Sequence, residues 1–171
     1  MESQKDEESQ RRGFKKACKD SDPAVLYKSL LESDTNWIFG RDHDAPKSEQ
    51  LYNKLKVAVA GHFNTKPKDV CIVGSAKTRF SLNPQKNFRS FTDDSDIDLV
   101  IVSEDYFEKL WKAYVEYHYK RIFGTDLKDM YYDVFRQFVT IYYLPPTHNM
   151  FRQWSKSLGQ LTSDLERQFG L

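Results

Sequence analysis

The acidic residues in the middle of the chain have the clearest potential for chemistry. Four carboxylates lie within six positions: Asp93, Asp94, Asp96 and Asp98. An apolar run follows at once, and it is rich in β-branched residues and too short for a helix of its own. The pattern therefore predicts a buried strand from Ile97 onward, with the acids at its entrance.

The spacing of Asp96 and Asp98 favours a metal site. Alternate side chains of a strand point to the same face, so these two acids are expected to be neighbours on one surface. Two residues of strand rise separate them by roughly 6.5 Å. Side-chain rotation can close that span onto metal ions about 3.5–4 Å apart, as in two-metal phosphoryl-transfer sites. Because two carboxylates held this close repel each other, a bound cation would stabilise the pair.

Two other interpretations use the same residues. The stretch Thr92-Asp93-Asp94-Ser95 has turn chemistry, so Asp96 could be the last residue of a solvated loop. Asp98 fits that interpretation less well, because an acid inside an apolar run needs a partner. An EF-hand loop is excluded, since Leu99 stands where the sharp turn of that loop requires glycine.

A second informative stretch is Gly74-Ser75, which directly follows the short apolar segment over residues 70–73. A glycine after a strand lets the chain turn sharply and bring backbone N–H groups close to an anion, and the serine hydroxyl adds a donor. A Walker loop is excluded, because Ala76 stands where that motif requires glycine before Lys77. A phosphate cradle and a simple turn are both compatible with these residues.

Twenty residues separate Ser75 from Asp96, without a periodicity typical of a helix or a strand. A long loop or a ragged hairpin is expected there, and long loops inside compact domains tend to be functional. The stretch contains four basic residues that could hold the triphosphate of a nucleotide: Lys77, Arg79, Lys86 and Arg89. Each of them taken singly is equally compatible with a solvated loop side chain.

Amphipathic spacing and capping residues place helices on both sides of these stretches. Asp22-Pro23 starts a helix that ends by residues 33–34, a polar connection follows over residues 36–47, and Ser48 opens a helix that ends by Asn64. The remaining predicted elements are helices over residues 103–122 and 150–169 and a strand over residues 137–144. On the first of these helices, His118 is expected to be a hydrogen-bonded packing residue.

The composition bounds the class of protein. A chain of 171 residues, 39% hydrophobic and 30% charged, suits one soluble domain, predicted over residues 22–171 behind a mobile charged segment over residues 1–21. The formal charge of +1 does not by itself favour nucleic acid. Cys18 and Cys71 are too few for a disulfide framework or a zinc cluster, so a cytoplasmic setting is expected. No signal peptide and no membrane partner are predicted.

The order of strand, Gly74-Ser75, loop and Asp96-Ile97-Asp98-Leu99 resembles the nucleotidyltransferase superfamily that includes DNA polymerase beta, and particularly its small bacterial members. The resemblance implies an α/β (α+β) fold in which flanking helices cover a mixed β-sheet. It implies that Asp96 and Asp98 are catalytic and bind Mg²⁺ or Mn²⁺. The residues expected to bind the phosphates of ATP or another nucleoside triphosphate are Gly74 and Ser75, with Lys77 and Arg79 from the stretch that follows.

The implied activity is transfer of a nucleoside monophosphate from an NTP or dNTP to a hydroxyl of a nucleotide, a nucleic-acid end or a protein side chain, in a bacterial defence or toxin–antitoxin system. A partner protein or a homo-oligomer would supply base selection and the acceptor. Active relatives also carry a third acid on a later strand, which residues 137–144 lack; the nearest candidates are Asp126, Asp129 and Asp133. The alternative is therefore a catalytically weak or inactive nucleotide-binding module that acts through a partner protein.

Overall fold

A computed structural model describes residues 2–33, 35–119 and 128–169, and the chain divides into two compact units, one ending at Ile101 and one beginning at Val102. The first unit is rich in helices and contains a small antiparallel sheet of two strands. Its elements are α1 (Glu2–Asp20), α2 (Pro23–Tyr27), a π-helical turn (Lys28–Glu32), α3 (Trp37–Gly40), α4 (Ala45–Phe63), a 3-10 turn (Pro67–Asp69), β1 (Val70–Val73), α5 (Gly74–Thr78), a 3-10 turn (Pro84–Lys86) and β2 (Asp98–Ile101). Within the described residues the sheet is thus purely antiparallel, whereas a mixed sheet was expected.

Helix α1 contacts the segment that connects the two strands. The Phe14 ring lies 5.1 Å from the Phe80 ring and 6.1 Å from the Phe88 ring, measured between centroids. At the same end of the helix, the Lys15 ammonium donates a hydrogen bond of 3.3 Å to the side-chain oxygen of Asn87. Phe14 therefore anchors this largely polar helix to two aromatic rings of the connecting segment.

The start of α2 confirms the predicted cap. The Asp22 carboxylate accepts hydrogen bonds from the backbone N–H groups of Ala24 and Val25, at 2.8 and 3.3 Å, and Pro23 occupies the first helical position. The helical region ends at Glu32, as predicted. Its four apolar residues are only partly packed: Leu26 and Leu30 are half-buried, whereas Val25 and Leu31 are exposed.

The core of the first unit depends on α4 and on a short helix that the sequence did not indicate. The spacing of Leu51, Leu55, Val59 and Phe63 predicts the core-facing stripe of this helix. Leu51 is half-buried, the other three are buried, and Asn64 ends α4 in the left-handed conformation. The prediction of a polar connection over residues 36–47 is wrong, because α3 buries Ile38 and Phe39 and α4 already begins at Ala45. The Asp44 carboxylate caps α4 by accepting from the Lys47 backbone N–H at 3.1 Å.

The strand β1 has the predicted bounds, and its register with β2 pairs Val70 with Ile101 and Val73 with Asp98. The Ile72 backbone N–H donates to the Tyr52 hydroxyl of α4 at 3.3 Å, so a side chain satisfies this buried strand group. Strand β2 departs from its prediction: it is only half-buried and begins at Asp98, which is exposed. Between the strands, a single antiparallel bridge from Phe80 to Ser90 forms the expected ragged hairpin.

The second unit consists of helices and turns. Its elements are α6 (Glu104–Tyr119), α7 (Lys128–Phe135), a 3-10 turn (Ile141–Tyr143) and α8 (Asn149–Phe169). Its buried core cluster is formed by Leu110, Tyr114, Met130, Ile141 and Leu144. Helix α8 matches the predicted helix over residues 150–169, and among the described residues every helix is too short or too polar to span a membrane.

The predicted strand over residues 137–144 is wrong. Gln137, the first residue of the predicted strand, has a φ of 59° and is therefore in the left-handed conformation instead of the extended one. The two buried residues, Ile141 and Leu144, are three positions apart, which is the period of the 3-10 turn rather than of a strand. The Tyr114 hydroxyl donates to the Thr140 carbonyl, so a side chain supplies a partner that a neighbouring strand would have supplied.

The expectation of a hydrogen-bonded His118 also fails. Both ring nitrogens of His118 are buried in α6 without a hydrogen-bond partner in the described part of the chain. Its ring instead lies against the Tyr117 ring, with 4.9 Å between centroids.

The packing of α4 can be tested with two substitutions of the same chemistry. Val59 has no exposed surface and Val57, on the same helix, is 59% exposed. We expect Val59→Ala to lower the free energy of unfolding by about 2 kcal/mol more than Val57→Ala, because only Val59→Ala removes buried methyl groups and leaves a cavity. Urea denaturation followed by circular dichroism measures the difference, and equal effects of the two variants would contradict the assigned face.

Candidate functional site

The candidate site lies at one end of the two-stranded sheet, where β1 ends and β2 begins. Strand β1 ends at Val73 and the chain passes directly into α5 at Gly74, while β2 begins at Asp98. Since Val73 pairs with Asp98 in the last pair of the ladder, the glycine turn and the acid lie at the same end of the sheet. The structure thus brings together two stretches that the sequence separates by more than twenty residues.

The Asp98 carboxylate occupies the space where a side chain at position 74 would begin. A Cβ atom built on Gly74 would lie 2.9 Å from Oδ2 of Asp98, closer than side-chain atoms approach in proteins. Gly74 also has a φ of +66°, a conformation that favours glycine. The backbone conformation therefore favours glycine at this position, and any larger residue would also make the exposed Asp98 carboxylate move.

Asp96 and Asp98 are both exposed, and neither carboxylate has a hydrogen-bond partner among the residues that the structure describes. The turn before them is fixed by Ser95, whose hydroxyl accepts from the Thr92 backbone N–H at 2.9 Å. Asp96 lies between this turn and the first residue of β2. Because Asp96 lies outside β2, the alternation of side chains along a strand does not apply to it. That Asp96 and Asp98 share one face therefore stays a prediction.

Ser75 occupies the first turn of α5, where it is half-buried. Its hydroxyl makes no hydrogen bond within the described ranges. The Thr78 hydroxyl, by contrast, lies 3.1 Å from the Gly74 carbonyl and 2.7 Å from the Phe80 carbonyl and can donate to one of them at a time. The Thr78 hydroxyl thus stabilises the C-terminal end of α5, while the Ser75 hydroxyl has no such bond in the described part of the chain.

The two basic residues next to the turn are packed rather than solvated. Lys77 is only 5% exposed, and its ammonium donates to the Ser33 carbonyl and lies 5.7 Å from the centre of the Tyr52 ring. The Arg79 guanidinium lies 5.8 Å from the Trp37 ring centre and hydrogen-bonds the side-chain oxygen of Gln10. Farther along the hairpin, Lys86 and Arg89 are exposed.

Sequence reasoning missed Trp37 and Arg41, which connect this region to the acidic loop. The Arg41 guanidinium lies 5.6 Å from the Trp37 ring centre and donates to Oδ1 of Asp93 at 3.1 Å. The Trp37 ring also contacts the Phe91 ring, with 5.4 Å between centroids. The apolar triplet Trp37-Ile38-Phe39 is the signal that could have identified these residues, because such a triplet is unusual in a solvated connection.

The candidate third acids lie in the second unit. Asp129 and Asp133 are on α7, and Asp126 lies outside the described residues. The Asp133 carboxylate accepts a hydrogen bond of 2.5 Å from the Tyr143 hydroxyl. In the part of the chain that the structure describes, no three His, Cys, Asp or Glu side chains are grouped so that they could hold a metal ion.

Compared with known proteins, the chain matches no family model, no curated protein and no solved structure. Within the described residues, the site is defined by the position of the Asp98 carboxylate beside Gly74 at one end of the sheet.

The need for glycine at position 74 can be tested against a second glycine. We expect Gly74→Ala to destabilise the protein, because a left-handed conformation costs alanine about 1–2 kcal/mol and the new Cβ would collide with Asp98. Gly61→Ala is the control, since nothing lies within 4 Å of the Cβ it adds and alanine stabilises a helix interior by about 0.5–1 kcal/mol. Thermal unfolding should shift in opposite directions for the two variants, and a stabilising Gly74→Ala would contradict the observed turn.

The contact between Tyr143 and Asp133 predicts a titration. The hydrogen bond to Asp133 raises the pKa of Tyr143 to about 12, with partial burial and the charges of Asp133 and Asp129 adding to the effect. Because the pKa in the folded state lies above the ordinary value of 10.0, the stability that this group contributes is complete below pH 10 and is lost as the pH rises from about 10 to about 12. Asp133→Asn should therefore lower the pKa of Tyr143.

NMR of protein labelled with ¹³Cζ-tyrosine measures this pKa directly. Asp164→Asn on α8 is the control, because Asp164 pairs with Arg167 on its own helix. An unchanged Tyr143 titration in Asp133→Asn would show that the hydrogen bond does not control the hydroxyl.

Proposed function

We propose that this protein is a metal-dependent nucleotidyltransferase that moves a nucleoside monophosphate from an NTP or dNTP to a hydroxyl acceptor. The observation that supports the proposal is the position of the Asp98 carboxylate beside Gly74, at the end of the sheet where β1 ends and β2 begins. A turn suited to polyphosphate and an acid suited to a cation are useful to each other only at such a short distance. Their order in the chain is also the order of the superfamily motif.

Asp96 and Asp98 fit a divalent cation by their chemistry. Carboxylate oxygens are the ligands that Mg²⁺ and Mn²⁺ prefer, and both side chains are exposed without a hydrogen-bond partner in the described ranges. When bound, the cation would supply charge neutralisation at the phosphates and a lowered pKa of the attacking hydroxyl. The role of the two aspartates is to hold that charge beside the glycine turn.

The turn itself would hold the outer phosphates. Gly74 has no side chain to keep an anion away from the backbone, and the first N–H groups of a helix lack partners within the helix. The Ser75 hydroxyl, without a hydrogen bond in the described part of the chain, would add a further donor. Breakage of the bond between the α- and β-phosphates would release pyrophosphate from this position while the acceptor oxygen bonds to the α-phosphorus.

The basic residues would have different tasks. We infer that Lys77 holds α5 in place and does not bind phosphate, because its ammonium is buried against the Ser33 carbonyl and the Tyr52 ring. Arg79 remains a phosphate ligand in this proposal, since it follows α5 directly and its guanidinium is only half-buried. The acceptor could be a nucleotide, a nucleic-acid end or a protein side chain, and a partner protein or a second copy would select it.

A nucleotide-binding module without turnover is the second candidate. It is favoured by one observation: among the described residues, Asp96 and Asp98 have no third ligand of the His, Cys, Asp or Glu type grouped with them. Such a module would keep the turn and the aspartate pair and would transmit nucleotide binding to a partner protein, in a bacterial defence or toxin–antitoxin setting.

One experiment separates these candidates. The full chain is incubated with each of the four NTPs and dNTPs and with Mg²⁺ or Mn²⁺, pyrophosphate is measured, and the products are identified by mass spectrometry. We expect pyrophosphate release that falls about 100-fold or more in Asp96→Asn and in Asp98→Asn, because each change removes a cation ligand. Asp94→Asn, in the same loop, is the matched control and should retain activity.

The other outcomes are equally informative. Metal-dependent nucleotide binding without release would favour the binding module. Release that survives both substitutions, or the absence of binding and release alike, would remove the aspartate pair from any catalytic role.

A further inference from the structure

Two stretches of the chain are rich in basic residues and contain no acid. Residues 9–19 hold five basic residues, and residues 79–92 hold three. Together they carry eight of the 26 Lys and Arg residues and none of the 25 Asp and Glu residues, so the rest of the chain has a net charge of −7. The net charge of +1 therefore results from two oppositely charged parts of the chain.

The fold packs these two stretches against each other. Phe14 of α1 contacts the Phe80 and Phe88 rings of the segment that connects β1 and β2. Next to Phe14, the Lys15 ammonium donates to the Asn87 side chain at 3.3 Å and lies 5.8 Å from the centre of the Phe88 ring. Tertiary contacts thus bring together basic residues that are about seventy positions apart in the chain.

A turn of the connecting segment places two more cations beside Lys15. The Arg89 backbone N–H donates to the Lys86 carbonyl at 2.9 Å, which closes a turn. The Cα atoms at the two ends of such a turn lie within about 7 Å of each other. Because Lys15 contacts the two residues in the middle of the turn, at positions 87 and 88, Lys86 and Arg89 flank the point of contact.

Helix α1 adds two cations on the same side as Lys15. Arg12 lies three residues before Lys15 and Lys19 lies four residues after it, and residues at these spacings are neighbours on a helix surface. Lys15 is half-buried, and the other four side chains are exposed. We refer to the following five residues as the basic patch: Arg12, Lys15, Lys19, Lys86 and Arg89.

The basic patch keeps most of its positive charge. Four of its five cations have no carboxylate partner among the residues that the structure describes, and the exception is Arg12, whose Nε lies 4.0 Å from the Glu8 carboxylate. Glu7 also reaches the connecting segment, where its carboxylate accepts from the Ser90 hydroxyl. It lies eight residues from Lys15, which is about 12 Å along α1.

We propose that the basic patch binds the phosphodiester backbone of a nucleic acid. Lys and Arg side chains that neutralise phosphates release condensed counterions, and this release supplies most of the affinity of sequence-independent binding. From Arg12 to Lys19 the patch extends about 10 Å along α1. A duplex carries one negative charge per about 1.7 Å of its axis, so several phosphates are within reach of the patch at once.

The composition of α1 favours a nucleic acid over an anionic membrane surface. A helix that lies on a membrane needs an apolar face that enters the lipid. Phe14 is the one large apolar residue of α1, and it is packed onto the Phe80 and Phe88 rings. A phosphodiester backbone requires no such face.

The proposal can be tested without turnover, because the basic patch contains none of the residues assigned above to the nucleotide or the metal. The full chain is titrated into a fluorescein-labelled thymidine oligonucleotide and into a labelled DNA duplex, without nucleoside triphosphate, and anisotropy is recorded over a series of KCl concentrations. We expect saturable binding of at least one probe. The logarithm of Kd should rise with the logarithm of the salt concentration with a slope of about 3–4, since each neutralised phosphate contributes about 0.7–0.9.

Three double variants assign the binding to the patch. Arg12→Gln/Lys19→Gln on α1 and Lys86→Gln/Arg89→Gln on the turn should each weaken binding about tenfold and lower the salt slope by about 1.5. The control is Lys66→Gln/Lys68→Gln, which removes the same charge from two exposed residues that precede β1. It should leave the affinity within about twofold of the original, because it lies outside the patch.

Several outcomes would overturn the proposal. One is the absence of saturable binding to both probes, or binding that does not depend on salt. Another is equal weakening by the control, which would show that net charge rather than this surface governs binding. A loss in only one of the two patch variants would show that the stretches do not act as one surface. Sedimentation with phosphatidylserine-containing vesicles, without binding of either probe, would assign the patch to a membrane surface.

Discussion

The pairing of Val73 with Asp98 is the contact on which the candidate site depends. In an antiparallel ladder, a slip of one residue turns every side chain to the other face, so this register alone decides that the carboxylate meets the glycine turn. The ladder is only four residues long on each strand. Its neighbour α4 therefore contributes, since Tyr52 satisfies the Ile72 N–H that faces away from β2.

Two interactions near the sheet differ in how much they stabilise it: the ion pair of Arg41 with Asp93 and the hydrogen bond of Lys77 to the Ser33 carbonyl. The ion pair between Arg41 and Asp93 is exposed, and such pairs contribute about 0–1 kcal/mol, so it orients the acidic loop without stabilising it much. Lys77 is the stronger constraint, because its ammonium is buried against the Ser33 carbonyl. Loss of that donor would leave a carbonyl without its partner, which typically costs about 1–3 kcal/mol when the group is buried.

The second unit has a different kind of chemistry. Its polar groups are organised around two tyrosines, Tyr114 in the core and Tyr143 beside Asp133. The hydrogen bond to Asp133 raises the pKa of Tyr143 to about 12, which extends the range over which its hydroxyl stays protonated above pH 10. The Tyr143 hydroxyl and the Asp133 carboxylate thus satisfy each other within this unit.

The amino-acid sequence by itself determined the local features. The bounds of β1, the Asp22 cap of α2, the end of α4 at Asn64 and nearly all of α8 follow from apolar periodicity and from capping side chains that act within a few residues. The sequence also showed the order of the glycine turn and the acid pair, from which a hypothesis about function follows. It did not show that Asp98 lies beside Gly74, because that depends on the register of the strands.

Only the tertiary structure decided the features that need a distant partner. Residues 137–144 are β-branched and aromatic, yet Tyr114 from α6 binds the Thr140 carbonyl and the chain forms a turn. Residues 37–39 were predicted to belong to a polar connection, but packing buries Ile38 and Phe39. Lys77 was predicted to bind phosphate or to be solvated, but its ammonium is buried and donates to the Ser33 carbonyl. In each case the physical reason is the same: local propensity is worth less than burial and hydrogen bonding with residues far away in the chain.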